Sequence, residues 1–169
     1  MKKALVIIAP SGYQDLEYAG TRKGLEEADF DIVIGSVHIG SCQGKLGGSV
    51  EATAALKDID VAHYDRIAFI GGPGAKVLDT NPDALRIARE TVAAGKPLGA
   101  ICIAPRILAA AGVLKGVRAT VWNADREQGN FLEDHGAIYT GDHVTTDGKI
   151  VTADGPPAAE EFGKTLALL

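Results

Sequence analysis

Cys102 stands in the stretch GKPLGAICIAPRILAAAGVLKG, residues 95–116. The stretch reads as an apolar strand, one thiol, and an alanine-rich helix. A residue at such a strand-to-helix elbow is raised clear of the sheet on a sharp turn, often with strained backbone angles. The amino end of the following helix offers free N–H groups and the positive end of its dipole. Both favour an anion, so the thiol pKa is expected to fall and the sulfur to act as a nucleophile. Pro105 suits the first turn of that helix, where no N–H is missed. A cysteine after an apolar strand is also commonly a small buried hydrophobe, so the elbow alone does not decide.

Two other loops bear on that choice. GGPGA, residues 71–75, ends another apolar run. Its glycines let the backbone approach a reacting centre, and the N–H of Gly72 with that of Ile103 could form an oxyanion pocket. An ordinary glycine turn would look the same. It is not a phosphate loop, because Lys76 is followed by Val77 rather than Ser or Thr, and it is not a GxGxxG fingerprint. Glu17 lies in SGYQDLEY, just beyond the first apolar run. A partly buried carboxyl beside a thiolate stays protonated and donates to sulfur. Asp15 is the more exposed competitor for a place in the pocket. Both acids would also suit the simple decoration of a helix amino end.

These loops need a scaffold that brings them together. KALVIIA (3–9), FDIVIGSV (30–37), YDRIAFIGG (64–72) and KPLGAI (96–101) are strand-like runs, apolar enough to be buried on both faces. Helical spacing follows the first at residues 14–29, and again at 80–95 and 104–116. The helix at 80–95 has Asn81 or Thr80 to cap it, Pro82 in its first turn and Gly95 to stop it. Residues 38–60 are glycine-rich and read as a loop with a short hairpin. VRATVW (117–122) reads as a further strand, and 123–136 as helix or loop. A hairpin around Asp147-Gly148 and a C-terminal helix complete the chain. Alternating strands and helices predict an α/β fold: a flavodoxin-like, doubly wound, mainly parallel sheet with helices on both faces, in a single domain over 1–169. Ligands in such folds bind beyond the carboxyl ends of the strands, where all three loops lie.

Composition narrows the function further. The 169 residues are 46% hydrophobic with a net charge of −5. No basic cluster offsets that charge, which argues against nucleic acid as a partner. No apolar run approaches the roughly 18 residues of a membrane span. The N-terminal apolar run is below the ~7–15 residues of a secretory core region, so it reads as a strand and the protein as cytoplasmic. Cys42 and Cys102 make no disulfide framework. His38, His63, His135 and His143 show no metal-ligand spacing with them, so neither a metal nor another cofactor is expected.

Together these segments resemble the ThiJ/PfpI superfamily, with its class I glutamine-amidotransferase-like sandwich. GYQDLE is similar to the family's G-[FY]-x-[DE]-x-E loop, and YDRIAFIGGPGA to its GGxGA strand end. The stretch from Gly95 to Thr120 is similar to its cysteine core, and DGKIVTADGPPAAEEFGKTLALL to its final hairpin and helix. The resemblance covers nearly the whole chain. It implies Cys102 as nucleophile, Glu17 as its partner, Gly72 and Ile103 as oxyanion donors, and a homodimer or larger homo-oligomer. Two departures stand out. Many members follow the cysteine with histidine, where this chain has Ile103. Others supply a histidine from the strand after the next helix, where this chain has Trp122. The general base for amide hydrolysis is then missing, which disfavours a Cys–His protease mechanism. At the pocket mouth, Trp122 would exclude water and narrow the substrate range. His135 or His143 of a partner chain is a candidate replacement base, and Cys42 reads as a bystander.

The expected function is therefore a cysteine-dependent enzyme on small reactive carbonyls, of the glyoxalase or deglycase type, taking methylglyoxal to lactate. That chemistry needs a nucleophile and one acid/base rather than a triad. The alternatives are a redox-sensing, stress-protective protein oxidised at Cys102, or another hydrolase or peptidase of the same family.

Overall fold

The computed structural model describes residues 1–169. The first strand, β1 (Lys3–Ile7), turns Leu5 and Ile7 to one face and Ala4 and Val6 to the other, all fully buried. That is the pattern of a strand covered on both sides. β2 (Ser11–Tyr13) and α1 (Asp15–Glu26) follow, then β3 (Asp31–Ser36), β4 (Gly40–Gly44), β5 (Ser49–Ala52) and β6 (Ala54–Ala55). Next come β7 (Arg66–Phe69), a 3-10 segment over Pro73–Thr80, α2 (Pro82–Ala93), β8 (Leu98–Ile101) and α3 (Pro105–Ala110). The chain ends with β9 (Arg118–Ala119), α4 (Gln128–Asp134), β10 (Ile138–Tyr139), β11 (Val144–Asp147), β12 (Ile150–Ala153) and α5 (Ala159–Leu168).

Seven strands form the main sheet in the order β11-β12-β8-β7-β1-β3-β6. All pairings are parallel except that of β11 with β12. The chain runs outward from β1 in one direction through β3 and β6, then returns to its other side through β7 and β8. That reversal leaves a crevice at the carboxyl ends of the strands, where ligands bind in such sheets. Leu5, Ile7, Phe69, Ile87, Leu98 and Ile107 build the core on the face covered by α2 and α3. Val6, Ile8, Leu25, Ile70, Phe162 and Leu166 build the core under α1 and α5. The doubly wound, two-faced sheet expected from the sequence is thus the fold observed. No helix is long and apolar enough to cross a membrane.

Three local expectations change. Residues 117–122 give only the two-residue β9, paired with β10 outside the main sheet. The place beside β8 is taken by β12, and the N–H of Thr120 donates to the Thr152 hydroxyl at 2.9 Å. Residues 11–13, read from sequence only as part of the loop beyond the first apolar run, form β2, which joins the β4–β5 hairpin in a second small sheet. The helix expected over 104–116 stops at Ala110, with turns through Gly112 at φ 82°.

Candidate active site

Cys102 closes β8 with φ at 63°, in the left-handed region. A non-glycine residue there costs about 1–3 kcal/mol and persists only when its surroundings hold it. The surroundings are main chain. Cys102 N–H donates to the Ala153 carbonyl at 2.8 Å, and the Cys102 carbonyl accepts from Trp122 N–H at 2.8 Å. The backbone N–H groups of Gly72 and Ile103 lie near enough to the sulfur to favour its charged form. Behind the elbow, Arg106 of α3 reaches Asp79 at 2.8 Å and the Gln128 amide oxygen at 2.8 Å. Its guanidinium lies 3.6 Å from the centre of the Phe131 ring. The helix after the thiol is thereby fastened to the segment that follows GGPGA.

The acid arrives from the opposite side. Gln14 caps α1, its amide oxygen accepting from Leu16 N–H at 2.7 Å. Helix formation from that point places Glu17 in the first turn, fully buried. Its Oε1 accepts from Gly71 N–H at 3.0 Å. Its Oε2 is buried with no hydrogen-bond partner, and the Cys102 thiol is the side chain that interacts with this carboxyl. Gly71 makes the approach possible. A Cβ there would lie 2.7 Å from both Cys102 Cβ and Glu17 Oε1. Gly72 adopts φ 104°, and a Cβ on it would collide with the Gly12 carbonyl. The glycine pair is required by shape, at one position for contact and at the other for conformation.

Burial pushes the Glu17 carboxyl up to about 7, although the thiol, the Gly71 N–H and the Lys45 charge all act the other way. Burial also pushes the Cys102 thiol up to about 12, assisted by the charge of Glu17 and its hydrogen bond. The N–H groups of Gly72 and Ile103 oppose this. The lowered thiol pKa expected at the elbow is therefore not what forms. The following helix is only six residues long, and a buried acid faces the sulfur. Two buried groups of the same potential charge hold at least one proton between them. Thiolate forms when Glu17 carries that proton, because its repulsion is then gone and its O–H can donate to sulfur.

A cavity of about 350 Å³ opens over the thiol. Gln14, Glu17, Gly72, Pro73, Cys102 and Ile103 supply its floor and sides, from the three loops that the sequence picks out. Lys45, Trp122 and Pro156 complete the lining. Trp122 stands where the sequence places it. Asp15 does not: its carboxylate turns to the β4–β5 hairpin and accepts from Leu46 N–H at 2.7 Å and Gly48 N–H at 2.8 Å. Lys45 and Pro156 are the lining residues that sequence reading missed. The signal for Lys45 was weak, because nothing in its glycine-rich stretch shows that the hairpin folds back over α1.

No histidine lines this cavity. His135 bonds through Nδ1 to the Phe131 carbonyl at 2.8 Å and lies against the Phe131 ring. His143 pairs with Asp154 at 2.8 Å and lines a neighbouring concavity that shares Trp122 and Pro156 with the first. Cys42 is buried in the small sheet.

The sequence profile of the DJ-1/PfpI family matches residues 2–168. The deglycase TK1284 of Thermococcus kodakarensis is 28% identical over 152 residues, 90% of each chain. The glutathione-independent glyoxalase DJR-1.2 of Caenorhabditis elegans is 26% identical over 161 residues, 95% of this chain and 84% of that one. The crystal structure of a ThiJ/PfpI domain protein from Brachyspira murdochii superposes with a TM-score of 0.92 at 27% identity, covering 98% of this chain and 94% of the other.

Proposed function

Since this chain belongs to the DJ-1/PfpI family, we propose that it is a cysteine-dependent enzyme acting on small reactive carbonyls, converting methylglyoxal and water to lactate. One observation carries this reading: a buried carboxyl raised to about 7 beside the thiol, in a cavity with no histidine. A group with that pKa can both give and take a proton near neutrality.

These residues and one water supply every group the reaction needs. Sulfur adds to the aldehyde carbon of methylglyoxal, and the carbonyl electron pair moves to oxygen. The N–H groups of Gly72 and Ile103 receive that oxygen, and Glu17 supplies its proton. Glu17, now a carboxylate, removes the proton from the same carbon to give an enediolate. It returns that proton to the neighbouring carbon while the hydroxyl proton passes to the neighbouring oxygen, leaving a lactoyl thioester. Water hydrolyses the thioester, releasing lactate and the thiol. Nothing external is oxidised or reduced.

NMR detection of lactate from methylglyoxal, with native protein and Cys102→Ala, tests the proposal. Lactate formed only by the native protein supports it. Equal turnover by the variant, or none by either, rejects it. Amide hydrolysis is the weaker reading, because a leaving amine needs an acid that this cavity supplies only through Glu17.

A second reading, a redox sensor, rests on Glu17 Oε2, which is buried without a partner. An oxygen added to sulfur would lie near it and could take its proton. Mild peroxide should then add oxygen at Cys102 and spare the buried Cys42. Equal oxidation at both sites, read by mass spectrometry, removes the basis for this alternative.

A further inference from the structure

Lys45 is the one cation lining the nucleophile's cavity. Its ammonium takes part in no ion pair, whereas lysines 23 and 164 are paired on the surface. It is close enough to Glu17 to act on the carboxyl. Its backbone is fixed firmly. The Lys45 N–H donates to the Tyr13 carbonyl at 2.8 Å, and Gly44 N–H donates to the Gly48 carbonyl at 2.8 Å. Asp15 grips the next turn through Leu46 and Gly48. A Cβ on Gly44 or Gly48 would collide with that carboxylate. The hairpin is thus built around Asp15, and residue 45 borders the same cavity as the thiol.

A second observation inside the cavity bears on what it receives. Glu17 Oε2 has no hydrogen-bond partner on a fully buried side chain, and the side chain that acts on its carboxyl is the Cys102 thiol. While Glu17 holds its proton and Cys102 is a thiol, Lys45 is the one charged side chain lining the cavity. An anion of single charge would balance it.

We propose that Lys45 selects the charge of the ligand, and that the cavity favours small aldehydes carrying a carboxylate next to the reacting carbonyl, as glyoxylate does, held by reversible addition to Cys102. This rests on the assignment of Cys102 as nucleophile. The aldehyde carbon of such a ligand sits at the sulfur, its carbonyl oxygen faces the N–H groups of Gly72 and Ile103, and its carboxylate faces Lys45. Addition forms one S–C bond and moves the carbonyl electron pair to oxygen. Glu17 protonates that oxygen and takes up the thiol proton in return, giving a neutral, reversible hemithioacetal. The same cation would hold the carboxylate of lactate after turnover of a neutral oxoaldehyde.

Iodoacetate and iodoacetamide test this without any turnover. They have nearly the same shape and differ by one negative charge. Each alkylates a thiol by forming an S–C bond as iodide leaves with its electron pair. Rates at Cys102 are read by peptide mass spectrometry for native protein, Lys45→Met and Lys45→Arg. The expected ratio of iodoacetate to iodoacetamide rates is at least tenfold higher in the native protein than in Lys45→Met, with Lys45→Arg close to native. High salt should shrink the difference, because the ammonium is exposed and screened. Glyoxylate should protect native Cys102 from iodoacetamide and fail to protect the methionine variant. The same ratio in native and Lys45→Met, with Cys102 reactive in both, overturns the role of Lys45 and leaves the nucleophile standing. A Cys102 inert to both reagents overturns the nucleophile assignment and this inference with it.

Discussion

The backbone N–H of Trp122 donates to the carbonyl of Cys102 at 2.8 Å. The indole is therefore placed by main chain that is bonded directly to the elbow. It forms a wall common to the thiol cavity and to the concavity beside His143. Trp122 is 37% exposed, so it forms the wall without being core. Trp122→Ala should leave the elbow in place and merge the two spaces. The expected outcome is a gain of about tenfold in kcat/KM for phenylglyoxal relative to methylglyoxal, which corresponds to about 1.4 kcal/mol. Steady-state kinetics with both aldehydes decides it. An unchanged ratio would mean that the indole does not limit substrate size.

Gly71 allows the acid and the thiol to share one small volume. In Gly71→Ala the new methyl group would occupy space between Glu17 Oε1 and Cys102 Cβ. One of the two groups must move, and displacements near 1 Å can cost on the order of 100-fold in rate. Turnover should fall by at least that factor. The Cys102 thiol should still alkylate, which separates lost proton transfer from an unfolded chain. A variant with native turnover would show that the close approach of Glu17 is not needed.

The Arg106–Asp79 pair tests how the elbow is supported. The two side chains are 13% and 11% exposed. Removing the cation alone, as in Arg106→Met, leaves a nearly buried carboxylate without its partner. Such losses cost about 3–5 kcal/mol. The double variant Arg106→Met with Asp79→Leu should recover much of the loss, because no charge is then stranded. Urea denaturation of the three proteins measures this. A single variant as stable as the native protein would show that water replaces the guanidinium.

The layers of the fold were legible because β1, β7 and β8 are apolar on both faces, a pattern that only a covered parallel sheet explains. The site was legible where chemistry and backbone shape coincide. Cys102, Gly72 and Glu17 each end a strand or begin a helix, so local sequence places them. Lys45 was not legible, because its position depends on a carboxylate 30 residues earlier bonding the hairpin turn. Asp15 was misplaced for the same reason. Its sequence neighbours suggested a pocket residue, and only the tertiary pairing shows its oxygens already occupied. The direction of the thiol pKa was also misjudged. Helix-end effects are local and visible in sequence, whereas burial beside Glu17 is tertiary and stronger here.

The raised carboxyl makes a prediction about stability that needs no substrate. Glu17 ordinarily ionises near 4.5, and in the fold near 7. Below 4.5 it is protonated in both the folded and unfolded states, and its burial carries no charge penalty. Between 4.5 and about 7 the unfolded chain loses the proton first, so the folded state binds more protons and stability falls as pH rises. Above 7 the full penalty applies, on the order of 3 kcal/mol. Glu17→Gln removes the charge and keeps a similar shape. It should raise the melting temperature at pH 8 and leave it nearly unchanged at pH 4. Removing the carboxylate also removes a cause of the high thiol pKa. The variant should therefore alkylate faster at Cys102 at pH 8 while losing methylglyoxal turnover. Thermal melts across this pH range, run beside alkylation rates, test both statements. A melting temperature at pH 8 equal to or below the native value would show that Glu17 is not held against its charge.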